Sequence, residues 1–436
     1  MLDLTGHWAG LLSLAVFVTA YILVIFEEST QMRKSKPVLM AAGLIWGLIG
    51  VAYALAGHSA DVHSEATAVI EEYGELFLFL LTAITYVNTL EERRVFEVLR
   101  ARLTAVGLSY RQLFWITGLL AFFLSAVLDN LTTSLIMGAV VVTMGRHSPR
   151  FVAIGCISIV VAANAGGAFS PFGDITTLMV WQSGKLDFSQ FFDLFLPALV
   201  NWLVPAAIMY TAVPKTKPEP ATEHVTVKPG AVGVVVLFAA TIMTAVGFKN
   251  FLALPPAVGM MTGLGYLQIW SYFLQQKGTR RGNGDMLLDS FAQVARVEWD
   301  TLLFFFGIIF AVGGLGVLGY LALASQVLYV DLGATPANTI IGLMSAIIDN
   351  IPLTFAVLTM NPVMSHGQWL LITLTAGVGG SILSIGSAAG VALMGQARGT
   401  YTFMSHLKWA WAIALGYAAS IGVHLVLNAA LFNRPI

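Results

Sequence analysis

The chain has 436 residues, of which 57% are apolar and only 10% are charged, and its formal net charge is −1. Soluble globular proteins carry about 25% charged residues, so the composition excludes a soluble enzyme, a nucleic-acid-binding protein and a disordered chain. The single cysteine, Cys156, excludes a disulfide framework. Long apolar runs, rather than short alternating strands, favour an all-α polytopic membrane protein over a transmembrane barrel.

Apolar runs recur along the whole chain, and a membrane helix needs about 20 mostly apolar residues. In chain order they are 8–26, 38–57, 73–90, 113–144, 151–182, 191–212, 230–247, 254–274, 299–322, 337–360, 368–395 and 407–430. Between them, 58–72 reads as an acidic outer loop and 91–112 is typical of an amphipathic helix on the inner surface. The proline-rich stretch 213–229 predicts a cytoplasmic linker between two halves of the chain.

The distribution of Lys and Arg predicts the orientation, because cytoplasmic loops are enriched in these residues. Of the 22 basic residues, 19 fall on one side if the runs 113–144 and 337–360 each enter and leave by the same face. We therefore predict that these two runs are re-entrant helical hairpins, not spans. The N-terminus is then outside.

The two halves of the chain repeat the same motifs in the same order. Glu75 matches Asp300, the pair Asp129-Asn130 matches Asp349-Asn350, and the segment 166–174 matches 379–387, at offsets of 225, 220 and 213 residues. The charge map places the matched runs entering from opposite faces, so the repeat is predicted to be inverted. Inverted repeats with interrupted helices are typical of secondary transporters.

This pattern divides the chain into four parts. They are the N-terminal scaffold helices 1–57, repeat 1 at 58–212, the linker 213–229 and repeat 2 at 230–436. In each repeat a hairpin is followed by a discontinuous transmembrane helix, at about 151–182 and about 368–395.

Polar residues concentrate where the long runs are interrupted. The first group, the first half-site, contains Asp129, Asn130, Thr132, Asn164, Ser170, Asp174 and Thr176. The second group, the second half-site, contains Asp349, Asn350, Thr354, Ser384 and Ser387. One interpretation is that the Asp-Asn pairs only cap a turn. Either asparagine can do that, so each aspartate is in excess, and a carboxylate at mid-depth is a functional candidate by default.

The sign of the buried charge indicates the substrate. Asp129, Asp174 and Asp349 lie deep, and the apolar runs contain no Lys or Arg except Lys408, the second residue of the run 407–430. Buried carboxylates without a cation tend to hold protons, and a hard cation with oxygen ligands can replace those protons. Competition between proton and cation for the same oxygens is the simplest chemistry of a cation/proton antiporter. A carrier of carboxylate substrates is expected to lack fixed acids.

At these residues the sequence resembles the NhaD-type sodium/proton antiporters of the ion transporter superfamily. The resemblance covers essentially the whole chain and is most specific at 126–133, 164–177 and 348–352. It implies export of Na+ or Li+ in exchange for protons, no cofactor beyond the transported ion, a bacterial inner membrane, a homodimer and a mobile transport part. It also carries the two half-sites over by position. Ser387 stands where the first repeat has Asp174, so the half-sites are unequal.

Other interpretations remain open at this stage. Another carrier of the superfamily, for dicarboxylates or arsenite, is disfavoured by the fixed acids and by the lack of a thiol cluster. A membrane aspartyl protease is disfavoured because Pro171 occupies a position where its motif needs glycine. A channel is not distinguished by topology. Glu75 and Asp300 either interact with helix dipoles as N-terminal acids or line a proton entry path.

Overall fold

The computed structural model describes residues 3–218, 225–282 and 284–434, and all regular secondary structure among them is helical. The predicted linker 213–229 therefore falls partly outside the described residues, at 219–224. The helices of the first half are α1 (Trp8–Ile25), α2 (Glu27–Thr30), α3 (Ser35–Leu55), α4 (Ser59–Glu92), α5 (Val95–Ala105), α6 (Tyr110–Leu124), α7 (Asn130–Met144), α8 (Pro149–Gly167), α9 (Ile175–Gln182) and α10 (Phe195–Tyr210).

The second half continues the same pattern of long and short helices. They are α11 (Ala231–Leu252), α12 (Pro256–Arg281), α13 (Ser290–Ala295), α14 (Trp299–Val317), α15 (Tyr320–Ser325), α16 (Ala334–Met344), α17 (Asn350–Met360), α18 (His366–Gly379), α19 (Ala388–Gln396), α20 (Phe403–Leu407) and α21 (Ala410–Leu427). Short 3-10 or π-helical turns lie at Phe188–Leu194, Gly284–Met286, Gln326–Asp331 and Ala429–Asn433.

Seven helical segments among the described residues are long and apolar enough to cross a bilayer, which supports the polytopic class. They are Trp8–Ile25, Ser35–Leu55, Pro149–Gly167, Phe188–Tyr210, Ala231–Leu252, Trp299–Val317 and Ala410–Leu427. Only 22% of α1 is buried within the protein, against 89% of α8. An apolar helix as open as α1 has a surface suited to lipid or to another protein, whereas α8 is a core helix.

The two runs predicted as hairpins and the two predicted as discontinuous helices are interrupted at the places where polar residues cluster. The run 113–144 is divided between α6 and α7, and the run 151–182 between α8 and α9. The later runs 337–360 and 368–395 are divided in the same way, at 345–349 and 380–387. The position of these breaks relative to a membrane, and with it the hairpin and repeat assignments, stays a prediction.

One expectation about the first half was wrong. Residues 58–72 were predicted to be a loop, but α4 begins at Ser59 and continues without interruption to Glu92. The acidic segment is rich in alanine and glutamate, which favour helix, and hydropathy marks only the apolar part of a helix. Glu75 consequently lies in the middle of α4. It is not an acid at the N-terminus of its own helix, and the dipole interpretation, which placed it there, is wrong.

The chain divides into two compact units, each built from separate stretches of sequence. The first unit comprises Met1–Val95, Val227–Val327 and Phe355–Asn361. Within it α3 packs against α1 and α14, and α12 packs against α4 and α11. Ile45, Ile49 and Leu318 lie in its apolar core. The indole N–H of Trp46 donates to the carbonyl of Phe310 over 2.8 Å and joins α3 to α14.

A buried arginine joins the end of α4 to the segments that precede α11 and α13. Arg93 follows α4, is fully buried, and donates from its guanidinium to the carbonyl oxygens of Pro229, Asp285 and Leu287 at 3.1, 3.0 and 2.7 Å. It also donates to the carboxylate of Glu92, which accepts a second bond from Lys228 Nζ over 2.8 Å. A buried charge needs such complete partnering.

The second unit comprises Phe96–Thr226, Leu328–Thr354 and Pro362–Ile436. Helix α8 lies at its centre and contacts α6, α7, α10 and α18, while α18 also packs against α16 and α21. Every residue of both predicted half-sites belongs to this unit, as do all four breaks.

Candidate cation-binding site

The break before α7 places Asp129 at the N-cap of that helix. Its backbone is extended, and its carboxylate accepts from the backbone N–H of Thr132 at 2.8 Å and from the Thr132 hydroxyl at 2.6 Å. The cap is therefore the aspartate itself. The expectation that an asparagine would cap this turn and leave the carboxylate in excess was wrong, because Asn130 already lies within the helix.

Asn130 points away from the cap and joins three elements. Its Nδ2 donates to Asn164 Oδ1 over 2.9 Å and to Asp174 Oδ2 over 3.3 Å. Asn164 is fully buried in α8, and its own Nδ2 donates to the hydroxyl of Ser381 over 2.9 Å. The amide of Asn164 is thereby fixed in orientation, with its oxygen facing Asn130 and its nitrogen facing the second break.

Asp174 is the buried acid on which the site converges. It is the last residue of the break of 168–174 and caps α9, where its Oδ1 accepts from the Thr176 N–H over 3.2 Å. Its Oδ2 accepts from Asn130 at 3.3 Å and from Asn350 at 3.0 Å. The two asparagines occupy matching positions of the two repeated motifs, so the same carboxylate oxygen receives both motifs.

The second Asp-Asn pair lies at the N-terminus of α17. Asp349 Oδ1 accepts from the backbone N–H of Ile351 over 3.2 Å. Asp349 is close enough to Asp174 for the two carboxylates to interact electrostatically. Two neighbouring carboxylates form a site of negative charge to which a cation is attracted.

The second broken helix repeats the capping geometry of the first. Ser387 caps α19 with its Oγ, which accepts from the Gly390 N–H over 3.3 Å, as Asp174 caps α9. The match predicted between Ser387 and Asp174 therefore extends to their local role. Ser170 has a local role as well, since its Oγ accepts from the Phe172 N–H over 3.3 Å.

Several buried hydroxyls in this part of the second unit have no hydrogen-bond partner among the described residues. They are those of Ser125, Thr133, Ser134, Thr354 and Ser384. A buried hydroxyl without a partner costs free energy unless something else satisfies it. A hard cation is bound by carboxylate, amide and hydroxyl oxygens. The second unit supplies the first two kinds from the aspartates and asparagines described above, and the third kind from these hydroxyls.

Close backbone packing holds both breaks, and glycine makes it feasible. A Cβ on Gly166 would lie 2.0 Å from the carbonyl oxygen of Phe122, and one on Gly379 would lie 1.9 Å from that of Gly342. The two glycines are 213 positions apart and meet partners 220 positions apart, which are the offsets of the repeated motifs. These glycines therefore serve packing.

The predicted site residues separate into three groups. Asn130, Asn164, Asp174 and Asn350 form one hydrogen-bonded cluster, with Asp349 beside it. Asp129 and Thr132 bond to each other, and Ser170 and Ser387 act in local turns. The backbone of Thr176 bonds Asp174, while Thr354 and Ser384 contribute unpartnered hydroxyls.

Glu75 and Asp300 belong to the first unit, away from these elements in the sequence. Asp300 lies in the first turn of α14 and accepts from the hydroxyl of Ser35, which agrees with an acid at a helix N-terminus. Glu75 is half-buried in α4, and Lys249 of α11 interacts with it electrostatically.

The two predicted half-sites do not include Ser381 or His406. Ser381 bonds Asn164, and the imidazole of His406 contacts the Ser381 carbonyl oxygen at 2.9 Å. The available signal was a difference between repeats, because Ser381 stands where the first repeat has Ala168. Nothing in the sequence near His406 marks its contact.

Known proteins resemble the chain over nearly its full length. A family model described as a citrate transporter matches residues 21–377. The Na(+)/H(+) antiporter NhaD of Alkalimonas amylolytica is 55% identical, over 99% of this chain and 93% of that protein. The protein of the same name from Vibrio cholerae is 52% identical, over 98% and 94%. Sodium/proton antiporter 1 of Arabidopsis thaliana is 33% identical, over 96% and 73%.

Proposed function

The chain belongs to the NhaD-type Na+/H+ antiporters of the ion transporter superfamily, and we propose from this membership and the site geometry that it exchanges Na+ for protons across a membrane. It is a transporter rather than an enzyme. The observation that carries the proposal is the convergence of Asn130 and Asn350 on Asp174 Oδ2.

The chemistry of exchange follows from this arrangement. The groups that contact the Asp174 carboxylate are uncharged amide and backbone N–H donors, and its charged neighbour is another acid, Asp349. The negative charge of the two acids is offset either by a proton, which neutralises one carboxylate, or by a bound Na+ ion, which leaves both ionised. Binding of one therefore displaces the other. The buried hydroxyls of Thr354 and Ser384, which have no partner among the described residues, are proposed as further neutral oxygen ligands for Na+.

We propose that the two repeats lie in the membrane with the opposite orientations that the distribution of Lys and Arg predicts. The breaks before α7 and α17 become the tips of re-entrant hairpins, and those after α8 and α18 become the unwound parts of discontinuous helices. The N-terminus is outside, and the basic loops face the cytoplasm of a bacterial cell. The recurrence of the glycine contacts at Gly166 and Gly379 supports the repeat. Its inversion rests on the Lys and Arg distribution.

Glu75 is proposed as part of a proton path. It is a half-buried acid in the middle of α4, far from both ends of that helix, and its basic neighbour is Lys249. The first-turn position of Asp300 gives that residue a structural role instead. Transport of Li+ and assembly into a homodimer are proposed from family membership alone.

Transport of a carboxylate substrate is the second candidate, because the matching family model is described as a citrate transporter. The site argues against it. Citrate is a polyanion, and Asp174 with Asp349 would repel it, whereas carriers of anionic groups use helix N-termini and neutral polar loops. The 33–55% identical relatives named above are antiporters of sodium and protons.

Proteoliposomes with an imposed pH gradient distinguish the candidates. We expect the purified protein to dissipate the gradient on addition of Na+ or Li+, and not on addition of K+ or citrate. Asp174→Asn and Asp349→Asn are expected to reconstitute equally well and to show no exchange. A gradient that collapses with citrate, or full Na+ exchange by Asp174→Asn, would contradict the proposal.

A further inference from the structure

A buried histidine outside the proposed site contacts the second broken helix. His406 lies in the short helix α20, and its side chain is fully buried. Its Nδ1 is 2.8 Å from the hydroxyl of Tyr401, and its Nε2 is 2.9 Å from the carbonyl oxygen of Ser381. Neither the proposed exchange chemistry nor the repeated motifs use this residue.

The two contacts define the tautomer of the ring. The Ser381 carbonyl can only accept, so Nε2 carries the hydrogen and donates it. Nδ1 is then the acceptor, and the Tyr401 hydroxyl donates to it. Burial lowers the pKa of His406 to about 4, although the bond to the Ser381 carbonyl opposes the shift, so the ring is neutral at physiological pH. His406 is therefore a fixed donor directed at one peptide.

That peptide lies just beyond the regular part of the preceding helix, where turns replace it: the Ser381 N–H donates to the Val378 carbonyl and the Ile382 N–H to the Gly379 carbonyl, each over 3.0 Å. Helix α18 ends at Gly379, and α19 starts at Ala388. Ser381 lies within this gap and is fully buried. The donor from His406 adds to these turn bonds a restraint on the Ser381 carbonyl, which lies beyond the last carbonyls that the helix itself satisfies.

Ser381 connects the histidine to the cation site. Its hydroxyl accepts from Asn164 Nδ2 over 2.9 Å, which directs Asn164 Oδ1 towards Asn130 at 2.9 Å. Asn130 in turn donates to Asp174. If Ser381 rotates, the amide of Asn164 loses the acceptor that distinguishes its nitrogen side from its oxygen side. An inverted amide would present a donor to Asn130, and the bond between them would be lost.

We propose that His406 is a positioning residue for the cation site, which holds the Ser381 peptide so that the Ser381 hydroxyl accepts from Asn164. This inference rests on the proposed exchange function. This contact chain from His406 through Ser381 to Asn164, here called the buttress, exists in one repeat alone, because Ala168 of the first repeat has no hydroxyl at the position of Ser381. It is thus one source of the inequality between the two half-sites.

The test compares His406→Leu, which fills the space without a donor, with His406→Gln, which restores an N–H at about the position of Nε2. The measurement is the Na+ concentration at half-maximal exchange, together with the maximal rate, in proteoliposomes of equal protein content. Loss of one neutral hydrogen bond in the buttress is expected to raise that concentration about five-fold in His406→Leu. The maximal rate should change by less than about two-fold, and His406→Gln should bind Na+ like the wild type.

A second histidine provides the matched control. His424 is also fully buried in the second unit, accepts at Nδ1 from Asn428 and contacts the Gly367 carbonyl through Nε2, each at 2.9 Å, without a bond to the cluster at Asp174. His424→Leu has the same chemical defect, so it should reduce the yield of folded protein and leave the Na+ concentration at half-maximal exchange unchanged. An equal effect of the two leucine variants on Na+ binding would overturn the positioning role.

Ser381→Ala keeps the inference testable if His406→Leu fails to fold. It removes the intermediate group, so Ser381→Ala should itself raise the half-maximal Na+ concentration, and adding His406→Leu should raise it no further. Additive effects, or unchanged Na+ binding in Ser381→Ala, would overturn the inference. Absence of Na+-driven exchange in the wild type would instead contradict the proposed function.

Discussion

Asn350 donates a hydrogen bond to Asp174 over 3.0 Å, although 176 positions separate the two residues. Asn350 belongs to the second repeated motif and Asp174 to the first broken helix. The acceptor is Oδ2, the same oxygen that Asn130 contacts at 3.3 Å. One carboxylate oxygen thus receives an amide from each half of the chain. We expect the site to form only when both halves are folded together.

The shared acceptor predicts that the two asparagines are energetically coupled. Asn130→Ala and Asn350→Ala each remove one donor from a carboxylate that has few others, and ionised Asp174 is destabilised. Exchange should then require a higher pH and more Na+. The double variant should differ from the sum of the single variants by at least about 0.5 kcal/mol, since the groups share one partner.

Antiport measured over a pH series and a Na+ series tests this coupling. Asn433→Ala, near the C-terminus and outside the cluster, serves as the control and should behave as the wild type. Strict additivity of the two single changes would show that the asparagines act on separate groups.

Asp129 is expected to separate a structural role from a functional one. The carboxylate caps α7 and also bonds the Thr132 hydroxyl. Asp129→Asn retains an oxygen that can accept from the Thr132 N–H, so the protein should insert at normal levels but fail to exchange. Asp129→Ala removes the cap as well and should cost about 1 kcal/mol of stability in addition.

Membrane abundance and thermal unfolding in detergent, measured beside antiport activity, resolve these two effects. If Asp129→Asn exchanges normally and only Asp129→Ala is impaired, then Asp129 acts only as a helix cap. It would then not belong to the first half-site.

The sequence predicted the helix breaks well because local chemistry determines them. Pro171 removes a backbone donor, and the Asp-Asn pairs and neighbouring glycines mark turns within apolar runs, so the interruptions followed from residue types. The meeting of Asn350 with Asp174 could not be predicted, because it depends on how distant helices pack. The same holds for His406, whose partners are a tyrosine hydroxyl and a carbonyl oxygen.

The errors have an equally physical origin. Hydropathy identifies the apolar part of a helix, so the prediction for 58–72 missed the acidic first half of α4 and displaced Glu75 from mid-helix to a terminus. The cap at α7 was assigned to the wrong residue because Asp and Asn have similar capping preference. The structure distinguishes them by one position: Asp129 precedes the helix and Asn130 begins it.

The close contacts of Gly166 and Gly379 predict severe effects of adding a methyl group. In each case the new Cβ would lie about 2 Å from a backbone carbonyl oxygen, which cannot move without displacing a helix. Gly166→Ala and Gly379→Ala should each reduce the yield of folded protein several-fold and lower the unfolding temperature. Purification yield and thermal unfolding in detergent are the measurements.

Gly395 provides the control for these substitutions. It lies in α19 with open space around the position of a Cβ. Gly395→Ala should therefore be neutral or gain up to about 1 kcal/mol from the higher helix propensity of alanine. Equal losses at Gly395 and Gly166 would mean that the close approach at Gly166 is not what makes glycine necessary there.

The ion pair around Arg93 predicts a loss of stability in acid. Burial raises the pKa of Glu92, but the hydrogen bonds and charges of Arg93 and Lys228 together outweigh it, so the pKa lies below its ordinary value. A lowered folded-state pKa contributes stability above the unfolded value, which is about 4.3, and that stability is lost as the pH falls through the folded value. The unfolding temperature in detergent should therefore decline below about pH 4, and Glu92→Gln should flatten the decline.

Glu91, an exposed neighbour on the same helix, is the matched control, and Glu91→Gln should retain the acid decline of the wild type. Arg93→Ala should be more harmful than either at every pH, since it leaves the carbonyl oxygens of Pro229, Asp285 and Leu287 without their donor. Unpaired buried acceptors cost about 1–3 kcal/mol each, and this loss does not titrate. If Arg93→Ala instead regains wild-type stability at low pH, the guanidinium acts mainly on the Glu92 charge, and the carbonyl contacts contribute little.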